Sequence, residues 1–276
     1  MVLNAYSWTL GVIAINNTFL TALFNFLSRF FAALAEEQAE QEDTMASVTE
    51  WTGAPPYRYI DVSRYQGSIT PEGWKKVKAA GYQGVMLKTV STNRRLSKRA
   101  DGLYIDPTFE ANYRNAKVAG LAVGVYYYTY ATSKAMADAE LSLLADALRG
   151  KTLEMPVAVD VEDNKFRVLG KQALTYLTAY ALKKVEDMGF YAQLYTYTSF
   201  AKTRLYMGGA ALSPYDVWLA DYTGKTPAVT FAYNTHQHTS KGSVPGISGN
   251  VDLNVTTRNY PEIICKKGLT RLREGK

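Results

Sequence analysis

Eight strand-like apolar runs punctuate the chain from Tyr57 onward: "YRYIDV", "GVMLKTV", "LAVGVYYYTY", "MPVAVDV", "AQLYTYT", "DVWLADY", "TFAYNTHQH" and "NVDLNV". Between the first six lie stretches with apolar residues at helical spacing: "PEGWKKVKAAG", "TFEANYRNAKVAG", "SKAMADAELSLLADALRG", "KQALTYLTAYALKKVEDMG" and a shorter one around "FAKTRLYMGGAAL". Gly81, Gly120, Gly150 and Gly189 close four of them, as a left-handed C-terminal cap requires. Thr70-Pro71-Glu72 supplies a capping hydroxyl followed by proline at the first helical position. Strands alternating with helices predict an α/β fold with parallel pairing and helices outside. The last three runs are joined by connections too short for full crossovers, so the pattern predicts five βα units completed by three terminal strands over residues 57–262, then a basic tail over 263–276.

The region before Tyr57 follows another rule. Residues 1–28 carry no charged side chain, and Leu20, Leu23, Leu27, Phe30 and Leu34 form one helical stripe that Phe19, Phe24, Phe26 and Phe31 widen. Thr18, Thr21, Asn25, Ser28 and Arg29 lie opposite, which argues against a simple lipid-exposed span. The stretch "AALAEEQ" resembles a signal-peptidase site after Ala35, without the positive segment that should precede it. Residues 1–35 are therefore expected to form a hydrophobic or amphipathic helix that contacts a membrane, joins copies of the chain, or acts as a signal. Residues 36–56, acidic and then proline-containing, read as a linker.

Composition narrows the chemistry. A chain of 276 residues with 47% hydrophobic content can bury one large core. The first 50 residues hold one basic side chain against six acidic ones, leaving the rest at +11 when the whole chain carries +6. That excess draws the domain toward a polyanion, whether nucleic acid, anionic lipid or an acidic wall polymer. Cys265 is the single cysteine, so an intrachain disulfide and a cysteine-based metal cluster are excluded. His236 and His238 are the only histidines, which leaves Ser-His and Cys-His nucleophile systems poorly supplied. They flank Gln237 on one strand face like a two-histidine metal arm, but no third ligand is spaced with them, and they read as ordinary strand residues. No metal or cofactor is expected, and the chemistry falls to carboxylates.

The acids sit where a barrel needs them. In "PVAVDVED", residues 156–163, an apolar strand runs into Asp160 and Glu162, which share a face because strand side chains alternate. Burying two such carboxylates costs several kcal/mol unless a cation or a shared proton compensates. Asp61 ends the first run and Asp252 lies in the last. Barrel closure sets first and last strands side by side, so all four acids are expected to converge at the strand C-termini, where βα barrels place active sites. Crowding and desolvation mark Glu162 as the group with a raised pKa, suited to act as a general acid. Asp61 has a structural alternative as a turn cap, and Asp252 as a partner of backbone amides or of Arg258. Tyrosine numbers 21, and tyrosines such as Tyr128 on "VYYYTY" serve either as packing or as flat, hydroxyl-tipped contacts for a ligand.

"DVSRYQG", "VDVED", "VWLADY" and "GSVPGISGNVDLN", in this order and spacing, resemble glycoside hydrolase family 25, the muramidases of bacteria and phages, over about residues 57–260. The resemblance implies a (βα)5β3, TIM-like barrel that hydrolyses the β-1,4 bond between N-acetylmuramic acid and N-acetylglucosamine. It implies Glu162 as general acid, Asp160 as its partner carboxylate, Asp61 and Asp252 as two further acids, and Lys88, Tyr195, Tyr197, Trp218, Tyr222 and Gln237 as cleft-lining residues. The implied partner is the peptidoglycan glycan strand, not nucleic acid. The implied place of action is the cell wall, reached from outside the cell, from a virion or from a membrane anchor. A noncatalytic wall-binding module of a phage tail or secretion assembly is the alternative. One departure stands out: Ser91 occupies the position, three residues after Lys88, where the family usually has glutamate, and the loop "STNRRLSKRADGLYIDPTF" is longer and more basic than usual.

Overall fold

The computed structural model describes residues 22–32 and 49–273, and the chain divides into two compact units, Met1–Asp43 and Thr44–Lys276. In the first, residues 22–32 form a helix, α1. Leu23, Phe24, Phe26, Leu27, Phe30 and Phe31 are exposed on it, with the Phe26 and Phe30 rings stacked at 6.3 Å. The rest of the helix expected over 1–35, and residues 36–48 of the expected linker, lie outside the described residues. Among the described residues no helix is long and apolar enough to cross a membrane.

The second unit begins with β1 (Tyr57–Val62), α2 (Pro71–Ala79), β2 (Gly84–Lys88), β3 (Val90–Thr92), β4 (Leu103–Ile105) and α3 (Phe109–Val118). It continues through β5 (Ala122–Tyr128), α4 (Lys134–Leu148), β6 (Val157–Asp160), a 3-10 turn (Asn164–Val168), α5 (Lys171–Asp187) and β7 (Ala192–Tyr197). It ends with α6 (Thr198–Arg204), β8 (Asp216–Ala220), β9 (Thr235–Gly242), β10 (Val251–Thr256) and α7 (Tyr260–Lys267). Eight strands close into a barrel in the order β1-β10-β9-β8-β7-β6-β5-β2. β10 runs antiparallel to both neighbours, and the other barrel pairs are parallel.

Strand alternation sorts side chains into two cores. Val157 and Val159 of β6, with Val85, Leu87, Val123, Val125, Leu194 and Leu219 of its neighbours, face the helix layer and meet Trp74, Tyr113, Leu144 and Leu182. Tyr59, Met86, Ala122, Ala158 and Trp218 face inward and fill the barrel together with Met155. The filling is tight at Gly124, where an added Cβ would lie 2.5 Å from Met86 Sδ and 2.6 Å from Met155 Cβ. Helix starts follow the sequence cues: the Thr70 hydroxyl accepts from the Gly73 amide at 3.1 Å, and Ser133 does the same for Met136.

Three segments differ from their sequence reading. The linker expected up to residue 56 contains Trp51, which is buried against Tyr57 at 5.0 Å and donates its indole N–H to the Gln83 carbonyl at 2.9 Å. A large apolar ring beside an open barrel end is more stable covering it than in water. The tail expected from residue 263 carries regular structure: α7 continues to Lys267, Gly268 caps it at φ +63°, and Thr270 bridges to Phe190. The long basic loop after Lys88 contains the β3–β4 hairpin, in which Ser91 pairs with Tyr104.

Away from the strand C-termini, Lys117 of α3 forms a fully buried ion pair with Glu154, whose second oxygen accepts the Val123 amide at 3.1 Å. The pair fastens the helix layer to the start of β5. Lys117→Met leaves a buried carboxylate without its cation and is expected to cost about 3 kcal/mol. Urea unfolding at pH 7.5 checks this, and the double change Lys117→Met with Glu154→Leu should be less destabilised than the single one.

Candidate active site

Because the strands are parallel up to β9, their C-terminal ends open on one rim, and a cleft of about 380 Å³ forms there. Asp61 from β1, Lys88 from β2, Tyr126 and Tyr128 from β5, Asp160 and Glu162 at the end of β6, Tyr195 from β7, Trp218 from β8, Gln237 from β9 and Asp252 from β10 all line it. Adjacent-strand registers explain the convergence: Tyr128 pairs with Asp160, Asp160 with Tyr195, and Tyr195 with Trp218. At the seam, Asp61 and Asp252 are direct antiparallel partners.

Of the residues expected at the site, the four acids, Lys88, Tyr128, Tyr195, Trp218, Tyr222 and Gln237 are brought together. Tyr197 is not. The chain turns directly from Tyr197 into α6, and its ring lies 5.6 Å from Phe200 in an edge contact rather than over the cleft. Ser91 is buried in its hairpin and does not line the cleft. The structural alternatives for the outer acids are also resolved. Arg258 pairs with Asp216, not Asp252, and Asp61 Oδ2 accepts the side-chain amides of Gln237 at 2.8 Å and Asn254 at 2.9 Å. His236 bonds through Nε2 to the Asp221 carbonyl at 2.9 Å.

A hydrogen-bond chain runs across the mouth. The Trp218 indole N–H donates to Asn254 Oδ1 at 2.8 Å, Asn254 and Gln237 both donate to Asp61, and the hydroxyls of Tyr195 and Tyr222 donate to Gln237 Oε1 at 2.9 and 2.5 Å. Asn254 is one residue that sequence reasoning overlooks. It lies two positions beyond Asp252, so the same alternation that grouped Asp160 with Glu162 points to it. Tyr126 is missed for a different reason: nothing local distinguishes it from the tyrosines beside it.

The electrostatics follow from burial. Asp160 is held well above the usual carboxylate range, first by burial and then by the charge of Glu162, while Lys88 opposes. Glu162 is pushed up to about 7, mainly by burial. Asp61 is raised well above the ordinary value by burial and by Asp252, against the pull of its two amide donors, and Asp252 is raised by burial. Lys88 is lowered by burial, with Asp160, Asp106 and Glu162 drawing it back. Burial thus raises the proton affinity of all four carboxyls. One buried oxygen, Asp160 Oδ1, has no hydrogen-bond partner among the described residues. The Tyr128 hydroxyl donates to Asp163 at 3.1 Å and so braces the segment that carries Glu162.

Residues 60–247 match the sequence model of glycosyl hydrolases family 25. The chain is 29% identical over 198 residues to the autolytic lysozyme of Clostridium acetobutylicum, covering 70% of this chain and 54% of that protein. It is 29% identical over 209 residues to lysozyme M1 of Streptomyces globisporus, covering 71% of this chain and 66% of that protein. The match thus spans between about half and two thirds of each relative's length. The crystal structure of a bacterial lysozyme from Streptomyces coelicolor superposes with a TM-score of 0.60 at 24% identity, over 78% of this chain and 99% of that one, which establishes a shared fold.

The raised carboxyls carry a stability signature. A folded Glu162 that titrates near 7, against an ordinary value of 4.5, binds more protons than the unfolded chain in that interval, so stability falls as pH rises through it. Removing the charge with Glu162→Gln should therefore stabilise the fold at pH 8 by about 1–3 kcal/mol, with the difference closing near pH 4. Thermal unfolding of both proteins across this range checks the sign.

Proposed function

The chain belongs to glycosyl hydrolases family 25, and on that premise we propose that the cleft is the active site of a peptidoglycan hydrolase acting on the cell wall. The proposed reaction is that of an N-acetylmuramidase, hydrolysis of the β-1,4 bond between N-acetylmuramic acid and N-acetylglucosamine. The observation that carries this reading is the pair at the end of β6: Asp160 and Glu162, same-facing, in a cleft where burial lifts Glu162 to about 7. A carboxyl with that value keeps enough of its proton near neutrality to protonate a glycosidic oxygen, which is a poor leaving group otherwise. The element order, with helices after the first five barrel strands and none between β8, β9 and β10, supports the (βα)5β3 arrangement of the family.

In the proposed mechanism Glu162 gives its proton to the bridging oxygen as the bond to the anomeric carbon breaks. The carbonyl oxygen of the sugar's own 2-acetamido group attacks that carbon from the opposite face. Asp160, which lines the cleft beside Glu162, accepts the acetamido N–H. The N–H donor favours the ionised form of Asp160, and Lys88 supports the same charge. Water then opens the bicyclic intermediate, returning its proton to Glu162, with retention at the anomeric carbon. Asp61 and Asp252 share charge at the far wall. Tyr222, half exposed at the rim, offers a flat face with a polar edge to a sugar ring, while the buried Tyr195 and Trp218 line the cleft.

Glu162→Gln is expected to lower clearing of purified peptidoglycan by ~10²–10⁴-fold, the usual span for a lost general acid. Wild-type activity should fall as pH rises through about 7, since the acid must be protonated. Equal clearing by both proteins removes Glu162 from the mechanism, and no clearing by the wild type removes the hydrolase reading. Asp160→Asn tests the second role. The anomer first released from a defined oligosaccharide should be β, and an α product would replace the acetamido route by direct attack of water.

A further inference from the structure

The end of the barrel opposite the carboxylates carries a second cleft, of about 440 Å³, lined by Arg149, Lys151, Thr152, Arg271, Leu272 and Arg273 among others. Its position follows from connectivity. Residues 149–152 leave α4 and lead into β6, so they sit at the N-terminal ends of the strands. The C-terminal segment is laid against the same end: the Leu153 amide donates to the Thr270 carbonyl at 2.8 Å, and the Arg273 amide donates to the Met188 carbonyl at 2.9 Å. Gly189 makes that docking possible. At its φ of +98° a Cβ would stand 2.6 Å from the Arg271 carbonyl oxygen and 2.8 Å from Arg273 Cγ.

Charge in this cleft is unbalanced. Arg149 is 3.0 Å from Asp146, and Lys151 is 3.0 Å from Glu110. Arg271 and Arg273 have no carboxylate within ion-pair distance among the described residues. Among the described residues, four cations thus face two acids around one concavity, and the two without a carboxylate at ion-pair distance there are arginines, whose forked donors match tetrahedral oxyanions.

We infer that this basal cleft binds a linear polyol phosphate, a phosphodiester polymer without bases, holding the protein on an anionic chain while the opposite mouth remains open to glycan. A chain of single-charge phosphates suits separated cations lining a trough better than one compact ion does, because each phosphate can meet its own arginine or lysine. Nucleic acid fits less well, since none of the lining residues is aromatic and bases would find no stacking surface. An anionic membrane presents a plane, whereas the cations here line a concavity. The inference does not depend on the hydrolytic reading, because binding is measured without cleavage.

The test uses the full chain and fluorescently labelled poly(glycerol phosphate) in an anisotropy titration at 150 mM salt. Wild type should bind saturably. Arg271→Gln with Arg273→Gln should weaken binding at least tenfold, whereas the charge-matched pair Arg94→Gln with Arg95→Gln, in the β3–β4 connection, should change it less than twofold. Arg149→Gln with Lys151→Gln, on the facing wall, should repeat the loss and covers the case in which the tail variant unfolds. Equal weakening by the Arg94 and Arg95 pair would mean diffuse charge and overturn the site. Absence of saturable binding, equal affinity for poly-glutamate of matched length, or binding only to phosphatidylglycerol vesicles would overturn the phosphodiester assignment.

Discussion

Closure of the sheet by β10 is the constraint on which the mouth of the barrel depends. A parallel series alone would leave β1 and β9 as edges with unpaired amides, and β10 fills the gap by pairing antiparallel with both. That insertion sets Asp252 directly across from Asp61 and Asn254 across from Gln237. A one-residue slip would turn these polar side chains toward the helix layer and bring apolar ones into the cleft. Register at this seam is therefore the same thing as site geometry.

The seam also makes the site's electrostatics tolerable. Asp61 is 4% exposed, and a bare carboxylate there would be costly. Two amide donors meet it, and the indole and phenol groups behind them complete the chain from Trp218 to Tyr222. Satisfied networks of this kind fix a single arrangement of side chains, because any rotation leaves a buried group without a partner. At β6 the compensation differs. Asp160 and Glu162 have a lysine, Lys88, and raised proton affinity in place of a full donor set. One wall is thus held rigid by hydrogen bonds, and the other is left with capacity to take up and release protons.

The two ends of the barrel differ in kind. The mouth gathers acids and aromatics from many strands, each placed by sheet register. The base gathers basic residues from two connections, placed by the antiparallel contact of Thr270 with Phe190 and by a glycine that admits the tail. The positive charge of the second unit is therefore not spread evenly, with basic residues gathered at the base and acids at the rim.

The barrel strands, most of their helices and the acid pair could be read from the sequence because each rests on local periodicity. Alternation in "PVAVDVED" already puts Asp160 beside Glu162, and spaced apolar residues with glycine caps mark the helices that follow the strands. Strand ends and barrel closure pointed to Asp61 and Asp252, and the family resemblance pointed to Gln237 and Trp218. What tertiary structure decided depends on contacts between distant residues. Trp51 became a plug because the barrel had an open end to cover, and the basic tail became a wall because Gly189 left room for it. Tyr197 left the cleft because the chain turned into α6 at that residue, although its alternation matches that of Tyr195. The shift of Glu162 to about 7 belongs to this second group, since no short stretch of sequence carries the depth of burial that raises it.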